Sequence, residues 1–132
     1  MKKITLILLM ILSTGWTTIN AQTSYSCHYR EFCNWDEDAG TFVDCNGYDE
    51  PSLFVMNSDK TMFTHSIESM KSTYYIKTKE YNEDVDVWLY DVVSDVGNEY
   101  YYIFDDKNKE IRILAEKDGQ AILIRFYVKS IF

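Results

Sequence analysis

The sequence predicts an all-β fold: a small antiparallel meander of eight or nine strands, closed as a β-barrel or folded as a β-sandwich. Three observations predict it. Beyond residue 21, runs of β-branched and aromatic residues alternate with polar ones at period two. Turn-forming residues recur about every eight to twelve positions. The connections are too short for the crossover that a parallel pair requires, so neighbours in sequence must be antiparallel neighbours in space.

Each element follows in chain order. The opening stretch, MKKITLILLMILSTGWTTINAQ, runs from two lysines through an apolar segment, Ile4 to Leu12, to a small residue, Ala21. That order reads as a secretory signal peptide over 1–21, and the apolar segment is too short to span a membrane as a helix. Cleavage after Ala21 leaves one domain over 22–132, secreted or periplasmic, with no stable membrane insertion. Residues 24–35 and 41–45 form a first hairpin around Glu37-Asp38-Ala39-Gly40. Asn46-Gly47 marks a further turn, and Pro51 is barred from a central ladder position. Residues 52–57 and 61–66 pair across Ser58-Asp59-Lys60, and residues 67–71 have the propensity for at most one helical turn. A strand over 72–81 leads into the most distinctive stretch, Val85 to Asp106, a hairpin whose aromatic arms flank Asp95-Val96-Gly97-Asn98. Residues 110–115 and 121–130 complete the meander.

Alternation separates the faces. Ile122, Ile124, Phe126 and Val128 form a core face, as do Ile111, Ile113 and Ala115, and as do Val85, Val87 and Leu89 in their strand. The opposite faces are unusually apolar, with Trp88, Tyr90 and Val92 in one strand and a run from Tyr100 to Phe104 in the next. Such a second face is either covered within the domain or exposed to a partner, and tyrosine suits the latter because its ring buries area while its hydroxyl stays wet.

Cys27, Cys33 and Cys45 travel to an oxidising compartment, where one disulfide and one spare thiol are expected. With the first turn centred near residue 39, positions 33 and 45 fall opposite each other. Cys33–Cys45 is therefore the preferred bridge and Cys27–Cys45 the alternative.

The net charge is −8, and loss of Lys2 and Lys3 with the leader makes it more negative by two. Such a domain repels phosphate backbones, so nucleic acid is excluded as a partner, while a basic protein would be steered toward it. His28 and His65 are the only histidines, and neither accompanies a nucleophile elbow or a triad pattern. The cysteines lack metal-ligand spacing, and the acidic clusters Asp36-Glu37-Asp38, Asp49-Glu50, Glu83-Asp84 and Asp105-Asp106 lack the EF-hand order. They read as turn-forming acids. The glycines are isolated and cradle no phosphate. The expectation is a binding protein without catalysis, metal or cofactor. Its candidate binding residues are Trp88, Tyr90, Ser94, Asp95, Gly97, Tyr100, Tyr101 and Tyr102, set against a basic protein in an inhibitor or immunity role. A small apolar ligand carried in a barrel cavity is the alternative.

Two likenesses bear on this. The expected barrel resembles the lipocalins in architecture, although their G-x-W signature is absent; Cys33-Asn34-Trp35 is not that motif. Ser94, Gly97 and Tyr100 stand in an S-x-x-G-x-x-Y spacing that resembles the inhibitory loop of the membrane-bound and periplasmic inhibitors of C-type lysozyme. That resemblance implies a small β-barrel whose Ser94 and turn through Asn98 face a basic lysozyme. It covers seven residues. Glu99 stands where that family usually carries a basic residue, and the downstream tryptophan-lysine-glycine pattern is missing. The apolar alternation ending at Phe132 also matches the last strand of an outer-membrane barrel, but residues 52–57 and 110–115 are too short for such strands.

Overall fold

A computed structural model describes residues 21–132. The expected signal peptide, save Ala21, lies outside the described residues. Eight strands follow one another: β1 (Thr23–Asp36), β2 (Thr41–Met56), β3 (Met62–Ile67), β4 (Met70–Asn82), β5 (Val87–Ser94), β6 (Glu99–Asp105), β7 (Glu110–Lys117) and β8 (Gln120–Ile131). Each pairs antiparallel with the next, and β1 pairs with β8, so the meander closes into a barrel with no free edge. Among the described residues no helix is long and apolar enough to cross a membrane.

The first hairpin shows how local sequence sets the register. Its turn lies between Asp36 and Thr41, whose Cα atoms are partners, and the Asp36 carboxylate accepts the Asp38 and Ala39 amides. A register shift then falls between the Phe32–Asn46 and Asn34–Val43 pairs. There Asp44 adopts a left-handed backbone, φ 54°, which aspartate tolerates. The extra residue brings Cys45 level with Cys33, and the two form the disulfide across a Cα–Cα distance of 4.1 Å. A disulfide fits an oxidising compartment. Cys27 is a free thiol buried in the core, its pKa pushed up by burial to about 11.

Two local expectations are corrected, and a third, for Pro51, holds. Asn46-Gly47 does not turn the chain, because β2 continues through it to Met56. Gly47 serves another purpose: a Cβ there would run into the Tyr29 ring, so the glycine makes room for that ring across the strand pair. Pro51 lies inside β2, at a register shift where the ladder asks no amide of it. Residues 67–71 form no helical turn; Ile67 and Met70 pair directly and close a tight β3–β4 hairpin. Where the next strand pair is available, pairing outweighs the weak helical propensity of five residues.

The core face of β5 is also corrected. Tyr90 and Val92 are fully buried with Trp88 packed beside them, whereas Val85 is 56% exposed and Leu89 is half-buried on the opposite face. Val87 is buried as well, but on the Leu89 face. Period two defines two faces without saying which one points inward; the bulkier rings win because only they fill the barrel. Phe54, Phe63, Tyr102, Phe104 and Phe126 interlock there, mostly edge to face at 4.9–6.5 Å between ring centroids. On the expected core faces of β7 and β8, Ile111, Ile113, Ile122, Phe126 and Val128 are buried and Ile124 and Ala115 half-buried, while Leu123, expected on the opposite face, is also buried at 5% exposure.

The outer face carries charge. Arg125 lies 2.9 Å from Glu31 and 3.7 Å from Glu110, and Arg112 bridges Glu110 at 2.7 Å and Asp105 at 3.3 Å. Burial alone would raise the Asp105 pKa, but hydrogen bonds from Asn108 and the Arg112 charge hold it below the ordinary aspartate range.

Candidate functional site

A meander places alternate turns at opposite ends of its barrel, so the β1–β2, β3–β4, β5–β6 and β7–β8 turns share one end. The β1–β2 and β7–β8 hairpins are linked there by the Gln120 side-chain amide, which donates to the Trp35 carbonyl at 3.0 Å. Around them opens a concavity of about 1040 Å³, lined by Trp35, Val43, Tyr100, Tyr101, Leu114 and Ala115 among others. Six of its lining residues are carboxylates, Asp36, Glu37, Asp44, Asp91, Glu99 and Glu116, and none is lysine, arginine or histidine. Glu99 is paired with Lys77 at 2.7 Å, a hydrogen bond and charge that hold its carboxyl below the usual range. Trp35 meets Phe42 edge to face at 5.1 Å, which gives the acidic mouth an aromatic wall.

Below the mouth the barrel holds a second, smaller space of about 150 Å³, lined by Arg30, His65, Ser72, Tyr74, Tyr102 and Ile113 among others. Tyr100 lines both spaces. The His65 ring stacks on Phe54 at 4.0 Å and 4° and meets Phe126 edge on at 4.9 Å. Burial, assisted by the nearby Arg30 charge, lowers its pKa to about 4. Its Nε2 is buried with no hydrogen-bond partner among the described residues. Ser72 is its cross-strand partner, yet no hydrogen bond joins the Ser72 hydroxyl to that nitrogen, so the pair lacks the contact a base and nucleophile need.

The candidate residues read from sequence are dispersed. Tyr90 and Tyr102 are each 1% exposed and sit in the core. Trp88 packs on Tyr90 inside, with the Lys60 ammonium 5.3 Å from its ring centroid. Ser94 is buried, and its Oγ accepts the Asn98 amide at 3.0 Å, so the hydroxyl closes the β5–β6 turn. Asp95 is spent locally too, its amide donating to the Thr73 carbonyl at 2.9 Å. Gly97 supplies the left-handed turn position, φ 87°. Tyr100 and Tyr101 alone reach the mouth.

Sequence reasoning passed over most of the site. In the sequence Asp36 and Glu37 look like turn formers, and Asp44, Asp91 and Glu116 carry no signal of their own. The usable clue was topological: in a meander, acids near alternate turns converge at one end. Among the described residues Glu31, Cys33 and Cys45 bring potential metal ligands within 4.8 Å of one another, but both sulfurs are joined in the disulfide and offer no thiolate. Set against protein-family models, curated proteins and solved structures, the chain matches none of them.

Proposed function

We propose that this chain is a secreted or periplasmic binding protein, without catalysis, that receives a basic segment of a partner protein in the acidic mouth of its barrel. The observation that carries this reading is the composition of the mouth: six carboxylates and three aromatic rings, with no basic side chain among its lining residues. Carboxylates on low-dielectric aromatic walls attract lysine and arginine, and the negative charge of the whole chain speeds the encounter. Trp35, Tyr100 and Tyr101 supply rings on which a guanidinium or ammonium can rest. An inhibitor or immunity role against a basic enzyme fits this chemistry.

Transport of a sizeable apolar ligand is the weaker reading. Among the described residues aromatic rings pack the core, and the chamber beside them holds about 150 Å³, below the roughly 300–1,000 Å³ of pockets that bury a drug-sized ligand.

The test is capture of partners from the native envelope or medium on immobilised protein, in low and high salt, with the double variant Glu37→Lys/Glu116→Lys alongside. Both side chains are exposed, so the fold tolerates the exchange. A basic protein should be held in low salt and lost in high salt, and the variant should bind it at least tenfold more weakly. The same partner retained by the variant at undiminished affinity would refute the assignment.

A further inference from the structure

The two spaces at this end of the barrel have opposite chemistry. The mouth carries six carboxylates and no basic side chain, whereas the chamber beneath it is lined by one arginine, one histidine, a serine and three tyrosines, and by no carboxylate. Arg30, its side chain 29% exposed, forms a long ion pair with Glu50 at 3.5 Å, its one side-chain hydrogen bond among the described residues, and its Cζ lies 5.5 Å from the Phe126 ring centroid. A guanidinium presents five N–H donors in a planar fork that matches a carboxylate. Nearby, the buried Nε2 of His65 also lacks a partner. Buried polar atoms are ordinarily satisfied, so the orphaned His65 nitrogen, in a chamber that Arg30 also lines with donors to spare, asks for a ligand atom.

We propose that the chamber is a binding site for a small carboxylate with a compact apolar body, its carboxylate on Arg30 and its body against Phe126, Ile113 and Ile124. The volume sets the size, since a cavity of about 150 Å³ accommodates a ring the size of benzene. The lining sets the polarity: an apolar wall closes one side, while Arg30, His65, Ser72 and the tyrosines offer hydrogen bonds on the other. Access is beside the β3–β4 turn, where Met70 lines the chamber and is 60% exposed. A ligand entering there avoids the acids of the mouth. The site is independent of the proposed basic partner, and either can fail without the other.

Benzoate, benzylamine and benzyl alcohol, which share a ring and differ in charge, are the probes. Each is titrated into the full chain carrying labelled isoleucine methyl groups, with Ile67, Ile113 and Ile124 reporting on the chamber and Ile103 on the outer face. Benzoate should shift the chamber methyls saturably at one site, and benzylamine and benzyl alcohol should bind at least tenfold more weakly. Arg30→Gln should weaken benzoate binding at least tenfold. The ligand series decides the matter even if that variant folds poorly. Benzylamine or benzyl alcohol binding as well as benzoate, benzoate shifts confined to Ile103, or no shift at saturating benzoate would each overturn the proposal.

Discussion

Lowering the pH from 6.5 toward 4 should destabilise the barrel through His65. In the unfolded chain this imidazole has its ordinary pKa of 6.5, whereas in the barrel burial and Arg30 lower it to about 4. Above pH 6.5 it is neutral in both states and contributes no pH dependence. As the pH falls from 6.5 toward 4 the unfolded chain takes up a proton that the native state refuses, so stability declines, and the decline ends once the native imidazole also protonates. A difference of 2.5 pH units at about 1.4 kcal/mol each gives a loss of about 3 kcal/mol by pH 4. That is a large share of the roughly 5–15 kcal/mol by which a domain is stable. The measurement is urea unfolding followed by the fluorescence of Trp35 and Trp88, from pH 8 to pH 4, on the native chain and on His65→Phe. Phenylalanine keeps the stacking on Phe54 and removes both the titration and the orphaned Nε2. The variant should lose about 3 kcal/mol less than the native chain over this range, a difference in midpoint of roughly 1–2 M urea. Carboxylates common to both proteins cancel in the comparison. Identical pH slopes would show that His65 titrates in the barrel as it does in water, which refutes the burial argument.

Two further outcomes test the packing. Gly47→Ala should cost about 1–3 kcal/mol in thermal unfolding, because the new methyl group meets the Tyr29 ring; Tyr29→Ala in the same chain should cancel most of that increment, and an additive pair would contradict the contact. Replacing Cys33 and Cys45 together by serine should remove about 3 kcal/mol, since the bond closes a loop over a sequence separation of 12. An unchanged melting temperature in that variant would mean that the first hairpin is held by its ladder alone.

The strand grammar is legible in the residues alone. Period-two alternation, frequent turn residues and short connections leave an antiparallel meander as the one arrangement that pairs every strand, and the closed barrel obeys it. The Cys33–Cys45 bridge was legible from hairpin geometry, although the structure reaches it through the bulge at Asp44, a backbone feature that no residue spacing announces. Alternation could not choose the inner face of β5, because both of its faces are apolar; only the volume to be filled inside the barrel selects Trp88, Tyr90 and Val92. The same limit hid the sites. Asp36, Asp91 and Glu116 are far apart in the chain, as are Arg30 and His65, and no spacing between them announces that they meet. Closure of β1 onto β8 brings the acids together at one end and sets the arginine and histidine along one chamber, since a residue's electrostatic surroundings are set by its neighbours in space.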